Sequence, residues 1–235
     1  MKFEKVRLYL SLQCIDRYLI ATGNQKTRAV RLYKANLKIA QSFHPILGIL
    51  EVALRNRLNM VLSAHFCDPD WIINQKNGFM IAPSLTHIDR KTGKLVTNAF
   101  LKTSVEKSEK KFRRLNVPIT SGKILADQSL GFWSGLFEVH HYKLLLGRPI
   151  QVFNNLPTGH GRSNVCVKLN IVRQFRNRIN HNEPICFNGY TIDFTYVESF
   201  YKAIVDIFTW IDPDLVHWIK DIDNTETKIA RAKAI

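Results

Sequence analysis

The feature that most restricts the fold of this chain is a long run of apolar residues with helical spacing. Between Gln25 and about His65, apolar residues recur at steps of three or four positions. This spacing predicts an amphipathic helix whose apolar face lies against a core. Pro45 should kink or divide that helix, because proline removes one hydrogen bond and clashes with the preceding turn. The apolar face consists of Val30, Tyr33, Leu37, Ala40, Phe43, Leu47, Leu50, Leu54, Leu58 and Leu62.

The rest of the chain is also dominated by helical patterns. Residues 67–97 are the exception, since they hold turn signals, and a short hairpin is expected about Thr92–Gly93. No repeat has a solenoid period, and no linker demands two domains. The patterns predict an all-α protein with one domain over residues 1–235 and an irregular or small hairpin insertion near residues 67–97. The further helical segments are residues 99–116, 129–147, 164–182 and 193–212.

Two helix boundaries follow from residues that start or stop helices. Ser11 is expected to cap a helix that ends near Gly23, since serine and glycine favour these two positions. The helix over residues 164–182 should stop near His181, because Pro184 disfavours helical angles at the residue before it.

The charge of the chain favours a polyanionic partner. Lys and Arg total 34 against 19 Asp and Glu, a formal net charge of +15. Such an excess favours nucleic acid first and an anionic membrane surface second. A soluble protein that is merely basic is the alternative. With 46% hydrophobic and 23% charged residues, the composition is that of a folded globular protein and excludes a disordered chain.

The cysteines and the N-terminal residues predict a cytoplasmic protein. The cysteines lie far apart without a C-x-x-C pair, which indicates reduced thiols and no zinc ribbon. The first residues resemble a signal peptide, but Asp16 and Arg17 interrupt the apolar stretch and no convincing cleavage site follows. No apolar stretch reaches the roughly 18 residues needed to span a bilayer. The cysteines are Cys14, Cys67, Cys166 and Cys186.

The chain contains nearly the same six-residue segment twice. Residues 55–60 read RNRLNM and residues 176–181 read RNRINH. On a helical wheel, the second copy lies beside an apolar face of Val172, Phe175 and Ile179. The polar arc next to that face consists of Arg173, Arg176, Asn177, Asn180 and His181.

The polar arc of the second copy combines residue types suited to phosphate chemistry. Arginine presents a fixed fork of donors to a phosphate. Histidine takes or gives a proton near neutral pH. Asn177 is four residues before His181, so it can orient the imidazole or hold a phosphate oxygen. The spacing alone fits equally an ordinary solvated basic helix face with a capping histidine.

The first copy and two other segments have structural and functional interpretations. Glu51 and Arg55 are spaced for an ion pair, which favours a structural role, although Arg55 could also touch a ligand beside Asn56. The basic run over residues 102–114 is a solvated helix face or a track for a nucleic-acid backbone. His140 and His141 lie in an apolar segment and are expected to serve packing or the surface. The main candidates of the basic run are Lys110, Lys111, Arg113 and Arg114.

Three segments together resemble the Abi-like (abortive infection) family of the HEPN superfamily. They are YKANLKIAQSFHPILGILEVALRNRLN, LGFWSGLF and RNRINHNEPI, within about residues 10–210. The last segment contains the R-x4-H motif of HEPN proteins with a polar residue after the arginine. The sequence departs from the family at Asn182, where a second histidine is often found.

The resemblance implies an all-helical, HEPN-like bundle that forms a homodimer and cleaves RNA without a metal or other cofactor. His181 would be the general acid or base on the RNA 2′-hydroxyl, Arg176 would stabilise charge on the phosphate, and Asn177 would position one of them. The partners implied are RNA, a second copy and a protein or RNA antitoxin, and not a membrane. The alternative is a non-catalytic HEPN module that docks a guide or antitoxin RNA or a protein. Residues expected to bind RNA or to support the site are Arg173, Arg178, Arg55, Lys110, Lys111, Arg113, Arg114, Glu51, Asn56 and Asn180.

Overall fold

Helices account for most of residues 3–235, the part of the chain that the computed structural model describes. The all-α class is thereby confirmed. The helices are α1 (Phe3–Leu10), α2 (Leu12–Ala21), α3 (Lys26–Phe66), α4 (Trp71–Asn74), α5 (Phe100–Arg114), α6 (Ser121–Asp127), α7 (Leu130–Gly135), α8 (Val139–Leu144), α9 (Arg162–Asn180), α10 (Thr195–Ile211), α11 (Pro213–Trp218) and α12 (Thr225–Lys233). Short 3-10 helices occupy Gln75–Asn77, Phe79–Ile81, Pro83–Leu85 and Arg148–Val152.

Two small antiparallel hairpins complete the secondary structure of residues 3–235. Strands β1 (Thr86–Ile88) and β2 (Leu95–Thr97) form the first, and β3 (Phe187–Asn188) and β4 (Thr191–Ile192) form the second. The first confirms the hairpin expected near Thr92–Gly93. Its turn is held by Asp89, whose Oδ1 accepts the backbone N–H groups of Lys91 and Thr92, both at 2.8 Å.

The chain divides into two compact units. The first unit contains residues 3–49, 174–209 and 213–235, and the second contains residues 50–173 and 210–212. The boundaries fall inside α3, α9 and α10, so each of these helices contributes residues to both units. The single domain expected over the whole chain stays a prediction.

The core of the first unit is built around the N-terminal half of α3. The rings of Phe43 and Phe175 meet edge-on with 4.7 Å between their centroids, and the rings of Phe175 and Phe200 stack with 4.1 Å between theirs. These two contacts join α3, α9 and α10. In another part of this core, the rings of Tyr18 of α2 and Phe187 of β3 meet edge-on, with 4.9 Å between their centroids. These aromatic contacts bury apolar area from five elements of the unit.

The buried face of α3 differs from the predicted face in its first turns. Val30, Tyr33 and Leu37 were placed on the core side, but they are only half-buried. Asn36 lies on the buried side, where it is 1% exposed and accepts the backbone N–H of Ile185 at 2.8 Å through Oδ1. A polar residue that is buried with its hydrogen bond formed interrupts the apolar pattern, so periodicity alone does not indicate that its side of the helix is buried. The buried residues of these turns are Ala29, Leu32, Asn36, Ile39, Ala40 and Phe43.

Pro45 does not divide α3, which continues over 41 residues. Both Pro45 and Gln41, whose carbonyl loses its hydrogen bond, are exposed, so water can solvate the freed oxygen. The missing bond and ring clash cost about 3 kcal/mol. Phe43 and Ile46 are fully buried on either side of the proline and contribute about 1.5–3 kcal/mol each. Burial therefore outweighs the local defect.

The second unit packs aromatic and aliphatic side chains around the C-terminal half of α3. Leu50, Leu54, Leu58 and Leu62 are fully buried, as the apolar spacing predicted. The Nε1 of Trp71 donates to Oδ1 of Asn59 at 2.9 Å, so the buried indole keeps a polar partner.

The segment over residues 129–147 was predicted as one helix, and this prediction is wrong. It forms the two short helices α7 and α8, separated at Glu138, whose backbone is extended. Leu136 and Phe137, which lie between the two helices, are both fully buried. The break also brings Nδ1 of His141 within 2.9 Å of the Gly135 carbonyl oxygen.

Among residues 3–235, α3 is the one helix long and apolar enough to cross a membrane by length and composition. Its most apolar 18-residue window is 44% buried within the fold. The expectation that no stretch reaches such a length therefore does not hold. The core helix of a soluble protein meets the same criterion, and a cytoplasmic location remains a proposal.

The four cysteines are free thiols in the structure. Cys166 and Cys186 are buried, and burial raises the pKa of the Cys186 thiol to about 12. Cys186 is therefore protonated at neutral pH and poorly nucleophilic.

Candidate functional site

The second RNR segment lies at the C-terminal end of α9, which is anchored by its apolar face. Phe175 is fully buried and Ile179 is 2% exposed, as the helical wheel predicted. The opposite side presents Asn177, Asn180 and His181 to solvent, and Arg176 is half-buried. The sequence thus placed these side chains on the correct sides of the helix.

The backbone around His181 is held by a C-terminal capping motif. The His181 N–H donates to the Asn177 carbonyl at 3.1 Å, which is the last regular hydrogen bond of the helix. The N–H groups of Asn182 and Glu183 donate to the carbonyls of Ile179 and Arg178, both at 3.0 Å. This is the double hydrogen-bond pattern of a Schellman motif, and it fixes the point at which His181 leaves the helix.

Asn182 has a backbone reason to occupy the position of the expected second histidine. Its φ is +53°, in the left-handed region that the residue after the helix cap adopts in this motif. Among residues with a side chain, asparagine is one of those that tolerate this region best. Asparagine at position 182, in place of the expected histidine, therefore suits the left-handed backbone that this helix end requires.

Arg178 braces the segment that follows His181. Its Nε donates to Oε2 of Glu183 at 3.1 Å, and its Nη2 donates to the Pro184 carbonyl at 2.7 Å. Its guanidinium lies 4.9 Å from the ring centroid of Tyr196. These contacts give Arg178 a structural role at the helix end, and its expected contact with RNA stays a prediction.

Arg173 lies one turn before Asn177 on α9, in the part of the helix that belongs to the second unit. It is half-buried, and its Nε is buried with no hydrogen-bond partner among the described residues. Its expected contact with RNA stays a prediction.

The first RNR segment lies in the second unit, on α3. Arg55 is half-buried and donates through Nε to Oδ1 of the exposed Asn56 at 3.3 Å. Met60, at the position of His181 in the second copy, is 60% exposed. The ion pair expected between the half-buried Glu51 and Arg55 stays a prediction. This segment supplies no proton-transfer group at its sixth position.

The basic run on α5 is partly neutralised by the fold. All four candidate cations are exposed, but Lys111 pairs with Asp127, and Arg113 lies 3.6 Å from the carboxylate of Glu109. Lys110 and Arg114 form no ion pair or hydrogen bond within residues 3–235. Glu109 is itself buried and pairs with Lys76 at 2.7 Å, a contact that the sequence did not indicate.

The adjacent histidines on α8 have different surroundings. His140 faces Nδ2 of Asn98 through its Nε2 at 2.8 Å. His141 is 1% exposed, and burial lowers the pKa of its imidazole to about 4. Its Nδ1 donates to the Gly135 carbonyl, and its Nε2 is buried without a partner among the described residues. His141 is therefore a neutral packing residue.

The structure also brings together five cations that the sequence did not single out. Arg31, Lys34 and Lys38 of α3 and Lys228 and Arg231 of α12 line one groove of about 240 Å³ in the first unit. Their spacings of three and four residues place them on one side of each helix. Sequence periodicity could have found each basic side, but not the pairing of helices about 190 positions apart in the chain.

Within residues 3–235, no group of three His, Cys, Asp or Glu side chains is arranged to hold a metal ion. No protein-family model matches the sequence, and no curated protein or solved structure matches it significantly. Membership of the Abi-like family and of the HEPN superfamily therefore remains a proposal.

Proposed function

We propose that this chain is a metal-independent endoribonuclease of the HEPN type that acts as a toxin or phage-defence effector. The observation that carries the proposal is the end of α9. There, Asn177 and His181 are four residues apart, which places them on neighbouring turns of one helix side, and both are exposed. The formal charge of +15 suits a polyanionic substrate.

In the proposed reaction, His181 acts on the RNA 2′-hydroxyl. As general base, it takes the hydroxyl proton while the 2′-oxygen attacks the adjacent phosphorus. The bond from phosphorus to the 5′-oxygen breaks, and that oxygen receives a proton. The products are a 2′,3′-cyclic phosphate and a 5′-hydroxyl. In a homodimer, a second copy of His181 would supply this proton.

Two neighbouring residues support the proposed reaction. The guanidinium of Arg176 would stabilise the charge that develops on the phosphate, because preorganised donors act most strongly on the transition state. Asn177 would orient the imidazole or hold a phosphate oxygen. The capping motif at Asn182 and the contacts of Arg178 limit the freedom of the backbone that carries His181.

A cleavage assay with EDTA present tests the proposal. The intact chain should cut mixed RNA and leave cyclic-phosphate ends. His181→Ala should reduce the rate at least about 100-fold, the usual effect of losing a general acid or base, and should retain RNA affinity. His44→Ala is the matched control, because His44 is another exposed histidine of the first unit. Equal rates for His181→Ala and the wild type would refute the assignment.

The second candidate function is a non-catalytic RNA-binding module. It is favoured by the unpaired cations of the groove between α3 and α12, which need no chemistry to hold RNA. A wild-type protein that binds RNA and never cuts it would support the module. Absence of RNA affinity even at low salt would instead favour a protein that docks only another protein, because basic RNA binders bind tightly at low salt.

A further inference from the structure

We propose that the groove between α3 and α12 binds the phosphate backbone of an RNA strand, at a site separate from the end of α9. The inference rests on the proposed function, because it takes RNA as the ligand. It does not require that the chain cut RNA.

The groove is lined almost entirely by cations and small side chains. Four of the five cations are exposed, and Lys228 is half-buried. The remaining lining residues are Ala35, Ala232 and Ile235, whose main-chain oxygen accepts a hydrogen bond from Nε of Arg28 at 2.9 Å, and no acidic side chain lines the groove. The two alanines leave the space between the helices open to a ligand.

The five cations are not used by the fold. Within residues 3–235, none of their side chains forms an ion pair or a hydrogen bond. Other cations of the same unit do, since Lys26 pairs with Glu4 at 2.8 Å and Lys233 pairs with Glu198 at 2.6 Å. The absence of acidic partners is therefore a property of this groove and not of basic residues in general.

The spacing of these cations opposes folding. Arg31 and Lys34, Lys34 and Lys38, and Lys228 and Arg231 are three or four residues apart on one helix. Like charges at these spacings destabilise a helix. A bound polyanion would reverse the sign of these interactions.

The dimensions of the groove suit more than one phosphate. Arg31 and Lys38 are about 10 Å apart along the helix axis, which is about three times the spacing of about 3.4 Å between phosphates along one strand of a DNA duplex. Arg31 and Ile235 also line a neighbouring depression of about 560 Å³ that includes Arg28. The basic surface thus continues toward the start of α3.

The chemistry of the groove favours the backbone of RNA over its bases and over a membrane. No aromatic side chain lines the groove, so bases have no stacking surface there. Membrane-surface helices insert an apolar face beside their cations. Of the apolar residues of α12, Ile229 and Ala232 are buried in the unit, and Ala230 alone is exposed. We therefore expect binding that is independent of base sequence.

The test measures RNA affinity in a full-length His181→Ala background by fluorescence anisotropy over a range of salt concentrations. The groove variant combines Lys34→Gln, Lys38→Gln and Arg231→Gln. The matched control variant removes the same charges from the β1–β2 turn, where two lysines and one arginine are also exposed. Its substitutions are Lys91→Gln, Lys94→Gln and Arg90→Gln. Melting temperatures of both variants verify folding.

The groove variant should bind RNA about 10- to 100-fold more weakly at about 0.1 M salt, and the slope of log affinity against log salt should fall by about 2. The control should lose much less, and oligo(U) and oligo(A) should behave alike. Equal losses in both variants would overturn the inference, since net charge alone would explain them. So would a groove variant that loses binding to phosphatidylserine vesicles but not to RNA.

The outcomes separate this inference from the nuclease proposal. A wild-type chain that binds RNA but does not cut it refutes the nuclease, while the groove is still judged by its variant. A wild-type chain that cuts RNA, with a groove variant of unchanged affinity, refutes the groove alone. A chain without RNA affinity refutes both.

Discussion

His141 is a buried histidine whose protonation opposes folding. Its imidazole is 1% exposed, and its Nδ1 hydrogen bond to the Gly135 carbonyl assigns the remaining lone pair to Nε2. A proton on Nε2 would place a charge in the core without a partner. Burial is accordingly the main cause that lowers the pKa from 6.5 to about 4. The break between α7 and α8 creates this environment, because it returns His141 toward Gly135.

We expect His141 to destabilise the protein in mild acid. Between pH 4 and pH 6.5 the unfolded chain binds a proton at this residue that the folded chain does not bind. Stability therefore rises with pH across this window, is complete above pH 6.5, and is lost as the pH falls toward 4. From about pH 7 to about pH 5, the loss should be on the order of 2 kcal/mol.

The measurement is urea unfolding of the wild type and of His141→Asn at both pH values. The asparagine amide can keep a donor for the Gly135 carbonyl but does not titrate. The difference in unfolding free energy between the two proteins should shrink in acid. Parallel pH dependence of the two proteins would contradict the assignment.

At the scale of elements, helix α9 owes its sharp end to a small number of backbone contacts. The motif at Asn182, the proline at position 184 and the contacts of Arg178 all stop the helix after Asn180. The end of α2 has the same motif, with Gly23 at φ +62°. The left-handed position of this motif is thus occupied by glycine at the end of α2 and by asparagine at the end of α9.

The left-handed backbone at Asn182 predicts that glycine at this position gives a more stable protein than alanine. Asn182→Ala should lower the unfolding free energy by about 1 kcal/mol, because alanine tolerates a positive φ poorly. Asn182→Gly should be neutral or stabilising, because glycine adopts this conformation freely. Thermal or urea unfolding measures both effects. Asn180→Ala is the control, since it lies within the helix and alanine is favoured there. An Asn182→Ala variant that is more stable than the Asn182→Gly variant would contradict the motif.

At the scale of the whole molecule, the charge of +15 opposes the proposed homodimer. Strong self-repulsion keeps a basic protein from associating without a compensating contact or ligand. The proposed nuclease nevertheless needs two copies of His181 near one phosphate. Salt or RNA should therefore promote the assembly by screening or neutralising the repulsion.

The proposed dimer predicts that cleavage depends on protein concentration. The rate per molecule should fall when the chain is diluted below its dimer dissociation constant, because subunits separate by mass action. Light scattering with and without a non-cleavable RNA, alongside the cleavage assay, measures both quantities. A protein that is monomeric at every concentration and keeps the same rate per molecule would contradict a catalytic site shared by two subunits.

Features that depend on neighbouring residues could be predicted from the sequence. Phe175 and Ile179 repeat at the helical spacing, and Pro184 restricts the residue before it, so the buried face and the end of α9 were both predictable. The exposed positions of Asn177 and His181 follow from the same periodicity. The physical reason is that helix geometry and capping act over a few residues, within reach of a local pattern.

Features that depend on distant residues were decided only by the tertiary structure. The buried face of α3 includes Asn36, whose hydrogen-bond partner Ile185 lies 149 positions away in the chain. Pro45 is tolerated because Phe43 and Ile46 are buried on either side of it. The groove exists because α12 packs beside α3. Local spacing determined which side chains share a helix face. Tertiary packing determined which residues each face contacts, because burial and hydrogen bonding between distant residues outweigh local preference.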